Sequence, residues 1–162
     1  MIRKAVGALV VDGGEIMLVR KVLVSSAIPL PIPIEPEWGF PKGGVFPCDA
    51  SLEAALLREL LEETGSASYS SLRRLSQPFY LPFDTGAYRK VPYEGQETIM
   101  FLARFTGNRA ELAPLDREID RVCFFTPKKA CDILGDSPAG RYLAAVFGAE
   151  PAVAAALRGS VY

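Results

Sequence analysis

The stretch SLEAALLRELLEETG, Ser51 to Gly65, restricts the possible folds more than any other part of the chain. Ser51 is an N-cap residue type, Glu53 complements the dipole in the first turn, and Gly65 suits the left-handed position that ends a helix. At 100° per residue the spacing predicts a helix with Leu57, Leu60, Leu61 and Thr64 on a core-facing side and Glu59, Glu62 and Glu63 on the opposite side. Glu59 and Glu63 stand one turn apart with Glu62 beside both. Like charges at this spacing cost about a few tenths of a kcal/mol, and the C-terminal end of the dipole repels anions further. Arg58 relieves part of this repulsion, but one guanidinium does not neutralise three carboxylates. A divalent cation does.

WGFPKGG, Trp38 to Gly44, precedes that helix. Its small residues let backbone N–H groups approach a phosphate, and Lys42 adds charge. Carboxylates suited to a metal beside a phosphate-approaching turn describe phosphoanhydride chemistry. The chain has no histidine. Any metal site must then be built from oxygen ligands, which favours Mg²⁺ or Mn²⁺ over zinc.

With 18 basic and 19 acidic residues, no overall field holds the chain on nucleic acid or an anionic membrane. No apolar run reaches the roughly 18 residues of a membrane span. Cys48, Cys123 and Cys131 contain no C-x-x-C pair, and no secretory leader is recognisable, so a cytoplasmic setting with reduced thiols is expected.

Along the chain, KAVGALVV (Lys4 to Val11) and EIMLVR (Glu15 to Arg20) read as a hairpin, turned by the glycines of DGG. Lys21 to Glu37 carries prolines at 29, 31, 33 and 36 and reads as an extended, polyproline-like loop. ETIMFLARF (Glu97 to Phe105), RAELA (Arg109 to Ala113) and DRVCFFT (Asp120 to Thr126) read as strands. A helix follows from Pro127, then alanine-rich helical pieces broken at Gly148 to Pro151. The expectation is one domain over residues 1–162, α+β, with a mixed sheet in an α/β/α sandwich.

Gly44 and Arg58-Glu59-Leu60-Leu61-Glu62-Glu63-Thr64-Gly65 resemble the Nudix box, G-x5-E-x7-R-E-U-x-E-E-x-G-U. Two positions depart from it: the first glutamate falls on Ala50 and the last apolar position on Ser66. In the family that glutamate supports the metal site or pairs with the arginine, and Asp49, one residue away, is its possible substitute. The resemblance implies a hydrolase of a nucleoside diphosphate linked to another moiety, dependent on Mg²⁺ or Mn²⁺. It makes Glu59, Glu62 and Glu63 the metal ligands and Arg58 the residue that orients a glutamate. The general base is then Glu62, Glu63 or Glu118; the last stands in REIDRVCFF, which resembles the stretch before a late strand in diadenosine tetraphosphate hydrolases.

The same resemblance makes Lys42, Gly43 and Gly44 the phosphate-side turn of the dinucleoside polyphosphate, diphosphoinositol polyphosphate and RNA 5′-pyrophosphohydrolase branches. Tyr80, Phe83, Tyr88 and Tyr93, with Arg89 and Lys90, suggest base-stacking and phosphate contacts on a lid over Leu81 to Gly95. The leading expectation is a small-molecule substrate such as a dinucleoside polyphosphate, acted on by a monomer or homodimer. An RNA 5′ end, gripped by a patch such as Arg73, Arg74, Arg89 and Lys90, is the less favoured alternative. A Nudix-fold module that binds nucleotide without cleaving it is another.

Overall fold

The computed structural model describes residues 1–25 and 28–158. The expected hairpin is present: strands β1 (Ile2–Asp12) and β2 (Glu15–Val24) are joined at Gly13 and Gly14, whose φ of 57° and 77° only glycine adopts without strain. The two strands pair only beside this turn, Val11 with Ile16 and Asp12 with Glu15. Beyond it they part. β3 (Ile32–Gly39) takes over the vacated edge of β2, and β4 (Lys42–Gly44) pairs with β1. Phe40, 1% exposed, stands between β3 and β4.

The rest of the sheet forms around this fork. β7 (Gly95–Phe105) runs parallel to β1 from Ile2 to Val11, and β5 (Tyr69–Arg74) and β6 (Phe79–Pro82) run antiparallel to β7. β8 (Ile119–Phe125) runs antiparallel to β2 on its other edge. The sheet is therefore mixed, as expected. Alternate residues of its strands face two cores. Val6, Ala8, Val10, Met17, Phe101, Ala103 and Phe105 pack under α1 (Leu52–Thr64). Leu9, Val11, Ile16, Leu18, Met100 and Leu102 pack under α2 (Pro127–Leu134), α3 (Pro138–Ala149) and α4 (Pro151–Arg158). The α+β class with helices on both faces holds, and the C-terminal helices break at the expected place.

Three local expectations are corrected. The proline-rich segment is not one loop: Lys21 to Val24 continues β2, and Ile32 to Glu37 lies in β3 at the end of the sheet order, where Pro33 and Pro36 remove donors an edge strand can spare. RAELA is not a strand; Arg109–Glu111 forms a 3₁₀ turn capped by the Asn108 side chain, which accepts from the Ala110 amide. Within Leu81 to Gly95 the chain is irregular as expected, except that Leu81 and Pro82 end β6, Gly86–Lys90 forms a 3₁₀ turn and Gly95 opens β7.

α1 has the expected limits, with the Ser51 hydroxyl accepting from the Ala54 amide and Gly65 at φ 75°, but it is rotated from the expected orientation. Ala55, Leu56, Leu60 and Thr64 are fully buried, Leu57 is only half-buried, and Leu61 is 41% exposed. Glu59 and Glu63, expected opposite the core, are buried beside Leu56 and Leu60. The reason lies in β4, whose glycines leave room on the surface that α1 meets.

This orientation gives different expectations for neighbouring leucines. Leu60→Ala is expected to destabilise the chain by about 2–5 kcal/mol and Leu61→Ala by under about 0.5 kcal/mol in denaturant unfolding. Equal losses would contradict the helix orientation described.

Candidate active site

The first turn after β4 places the group on which the site is built. Asp49 accepts from the Phe46 amide at 2.7 Å, and the Asp49 amide donates back to the Phe46 carbonyl at 3.0 Å. The carboxylate so held meets the guanidinium of Arg58 two-pronged: Nε donates to Oδ1 at 3.0 Å and Nη2 to Oδ2 at 2.9 Å. Nη2 also donates to the Gly44 carbonyl at 2.9 Å, and the Phe46 ring lies 4.1 Å from the guanidinium carbon. Nη1 donates to Glu59 Oε1 at 2.7 Å and stands 3.6 Å from Glu62 Oε1. Hydrogen bonding from Arg58, then from the Phe46 amide, holds the Asp49 carboxyl below its ordinary value.

Glu59 and Glu63 are held from opposite sides. A Cβ on Gly43 would lie 2.0 Å from the carboxyl carbon of Glu59, so only glycine admits this side chain. The Lys42 amide donates to Glu63 Oε1 at 2.9 Å. Burial pushes both carboxyls up, against the pull of Arg58 on Glu59 and of Lys42 on Glu63, and burial pushes the Lys42 ammonium down. The room at Gly43 and Gly44, expected to serve a phosphate, is taken by Glu59 and by Arg3, whose Nη2 would lie 2.6 Å from a Cβ on Gly44.

Glu59, Glu63, Gly43, Gly44 and Arg3 line one cleft, together with Glu62, Lys42, Lys21, Glu37, Trp38, Tyr88, Gln96 and Glu118, while Asp49 and Arg58 stand behind its wall. Glu118 Oε1 accepts from the Ser25 amide and hydroxyl, both at 2.7 Å. Burial raises its carboxyl, but Lys21, Ser25 and Arg3 together leave it below the ordinary range. Arg3 Nη1 donates to Gln96 Oε1 at 3.0 Å, and Gln96 Nε2 donates to Thr98 at 3.2 Å. The cleft thus faces carboxylates with Arg3, Lys21 and Lys42.

The aromatic lid is arranged differently from the expectation. Tyr88 lines the cleft, but its ring stacks on Phe83 at 5.3 Å, Lys21 Nζ lies 5.6 Å from its centre, and its hydroxyl donates to Glu37 at 2.6 Å. Tyr80 is 49% exposed outside the cleft lining, and Tyr93 packs into a small core with Val24, Phe83 and Val91. Arg89 and Lys90 are exposed beyond the lining, as are Arg73 and Arg74 on β5. Arg3, Lys21, Gln96 and Phe46 enter the site without having been singled out from sequence. Long-range pairing brings the first three there, as with Arg3 and Gln96 across β1 and β7, whereas Phe46 comes with the turn after β4.

Among the described residues, no three metal-ligating side chains already converge on a point. The donor chemistry nonetheless fits a hard divalent cation. Glu59 and Glu63 each use Oε1 in the hydrogen bonds above, while Oε2 of each has none among the described residues, and Glu62 stands beside them on the cleft wall.

A family model described as NUDIX domain matches residues 1–146. The RNA pyrophosphohydrolase of Bartonella bacilliformis is 31% identical over 114 residues, covering 68% of this chain and 65% of that protein. That of Erythrobacter litoralis is 38% identical over 80 residues, covering 46% and 48%. The chain spans about half the length of such curated relatives. Among solved structures, the NUDIX domain of Shewanella oneidensis NrtR complexed with ADP ribose superposes with a TM-score of 0.66 at 16% identity, covering 92% of this chain and 88% of that one. A C. elegans Ap4A hydrolase binary complex gives 0.59 at 20% identity, covering 91% and 98%. At these identities the structural likeness is one of fold.

The packing of Glu59 on Gly43 is open to a direct test. Gly43→Ala is expected to cost about 1–3 kcal/mol in denaturant unfolding, as overpacking does, and most of that cost should vanish in a Glu59→Ala background. An equal cost in both backgrounds would show that the carboxylate does not occupy that space.

Proposed function

Since this chain belongs to the NUDIX family, we propose that it is a divalent-metal-dependent hydrolase that cleaves a phosphoanhydride bond in a nucleotide 5′-polyphosphate. The observation that carries this reading is the pairing of buried Glu59 and Glu63, each with one oxygen uncommitted, opposite Arg3, Lys21 and Lys42 in one cleft. Glu59, Glu62 and Glu63 would hold Mg²⁺ or Mn²⁺. When bound, the cation supplies charge neutralisation of the phosphates and acidification of the attacking water. Arg58 fixes the position of Glu59, while Arg3, Lys21 and Lys42 draw the polyphosphate into the cleft. Glu118 takes the proton of the attacking water: its carboxyl stays ionised, and its Oε2 has no hydrogen-bond partner among the described residues.

As substrate we favour the 5′-triphosphate end of RNA. Relatives named RNA pyrophosphohydrolase at 31–38% identity support this, although the aligned portions are partial. The cleft supports it too, because its cations suit phosphates while Tyr88, the tyrosine in its lining, is already engaged by Phe83, Lys21 and Glu37. Trp38 and Phe46, two further aromatic residues in the lining, favour a dinucleoside polyphosphate as the second reading.

Incubation with Mg²⁺ and triphosphorylated RNA, diadenosine polyphosphates, nucleoside triphosphates, ADP-ribose and inositol pyrophosphates tests the assignment. Release of pyrophosphate or phosphate from the RNA end at the highest kcat/KM is expected. Preference for a diadenosine polyphosphate would select the second reading, and nucleotide binding without hydrolysis of any substrate would make the chain a binding module. Glu63→Gln and Glu118→Gln are each expected to lower kcat a hundredfold or more with the fold retained, the first as a ligand and the second as the base. Unchanged turnover in either variant would contradict the role given to that residue.

A further inference from the structure

The family pattern places its first carboxylate at Ala50, which is exposed and has none to offer. The residue before it does what that position lacks. Asp49 grips both Nε and Nη2 of Arg58, leaving Nη1 to reach Glu59. A two-pronged pair fixes the plane of a guanidinium as well as its place, because two parallel N–H···O bonds permit one orientation. The carboxylate is itself fixed by the reciprocal bonds between Phe46 and Asp49, and the Phe46 ring covers the guanidinium. The Asp49 side chain is 7% exposed and that of Arg58 24%, so the carboxylate is the better covered of the two.

We infer that Asp49 is a positioning residue for the metal site: through Arg58 it holds Glu59 over Gly43, in place of the carboxylate missing at Ala50. This rests on the reading of Glu59, Glu62 and Glu63 as metal ligands. It also explains how a chain with alanine in the family's glutamate position keeps its arginine in place. The Gly44 carbonyl alone accepts a single hydrogen bond from Nη2 and leaves Nε without a partner.

Calorimetric titration of Mn²⁺ into wild type, Asp49→Asn, Asp49→Glu and Ala50→Glu separates the possibilities, with thermal unfolding run beside each. Asn keeps an acceptor for the Phe46 amide while removing the charge and one of the two oxygens that meet Arg58. Asp49→Asn is expected to bind Mn²⁺ about tenfold more weakly or worse, the usual loss when the group orienting a metal ligand is removed. Asp49→Glu should recover most of that affinity, and Ala50→Glu should bind as wild type does, since its partner is already engaged. Wild-type affinity in Asp49→Asn overturns the inference. So does a several-fold gain in Ala50→Glu, which would show the position to be vacant in effect as well as in sequence. Should Asp49→Asn fail to fold, Ala50→Glu decides the matter by the same criterion. Absence of Mn²⁺ binding in wild type contradicts the metal-site reading itself, whereas unaltered binding in Asp49→Asn beside a binding wild type contradicts only the role of Asp49.

Discussion

Two carboxylates buried on the core side of a helix need compensation, and the guanidinium of Arg58 provides it for one of them. A buried charge left alone is strongly destabilising, whereas one met by a fixed partner and its remaining hydrogen bonds is tolerated. Arg58 donates to Asp49, Glu59 and the Gly44 carbonyl at once, and in doing so ties the turn after β4 to the middle of α1. Glu63 is compensated by the Lys42 amide. Both anchors lie in or beside β4. The orientation of α1 and the position of that short strand therefore depend on each other.

β4 is where it is because the β1–β2 hairpin does not stay closed. A hairpin paired along its full length would leave no edge for β3 and β4, and no cleft between them and α1. Phe40 fills the base of the fork, packed edge-on against Phe79 and Tyr142 at 6.0 and 6.1 Å. Gly7 marks how closely β1 and β4 approach, since a Cβ there would lie 2.9 Å from that of Lys42. Small residues in these strands thus set the distance between the sheet and the carboxylates. A larger residue at Gly43 would fill the room Glu59 needs.

What was legible in the sequence is what local chemistry decides. The glycine turn of the hairpin, the serine cap and glycine stop of α1, and the β-branched and aromatic runs of β7 and β8 are each decided within a few residues. The rotation of α1 was not legible, because leucines at 56, 57, 60 and 61 spread over an arc of about 140° at 100° per residue, and either edge of that arc reads as the apolar face. The sheet surface chooses between them. β5 was missed since serine and arginine dominate it, as suits a strand at the margin of a sheet, and β6 since its apolar run is only four residues long and ends in proline. The carboxylates and Lys42 came from spacing within one segment. Arg3, Lys21 and Gln96 reach the cleft only through strand pairing, and the stacking of Tyr88 on Phe83 follows from how the irregular segment folds onto β2 and β3.

The most direct test of the account is an anomalous difference map from crystals soaked in Mn²⁺. A peak within coordinating distance of carboxylate oxygens of Glu59, Glu62 and Glu63, with the Asp49–Arg58 pair intact beside it, is the predicted result. A peak held by Glu37 and Glu118 away from α1, or no peak at a concentration that supports hydrolysis, would contradict it.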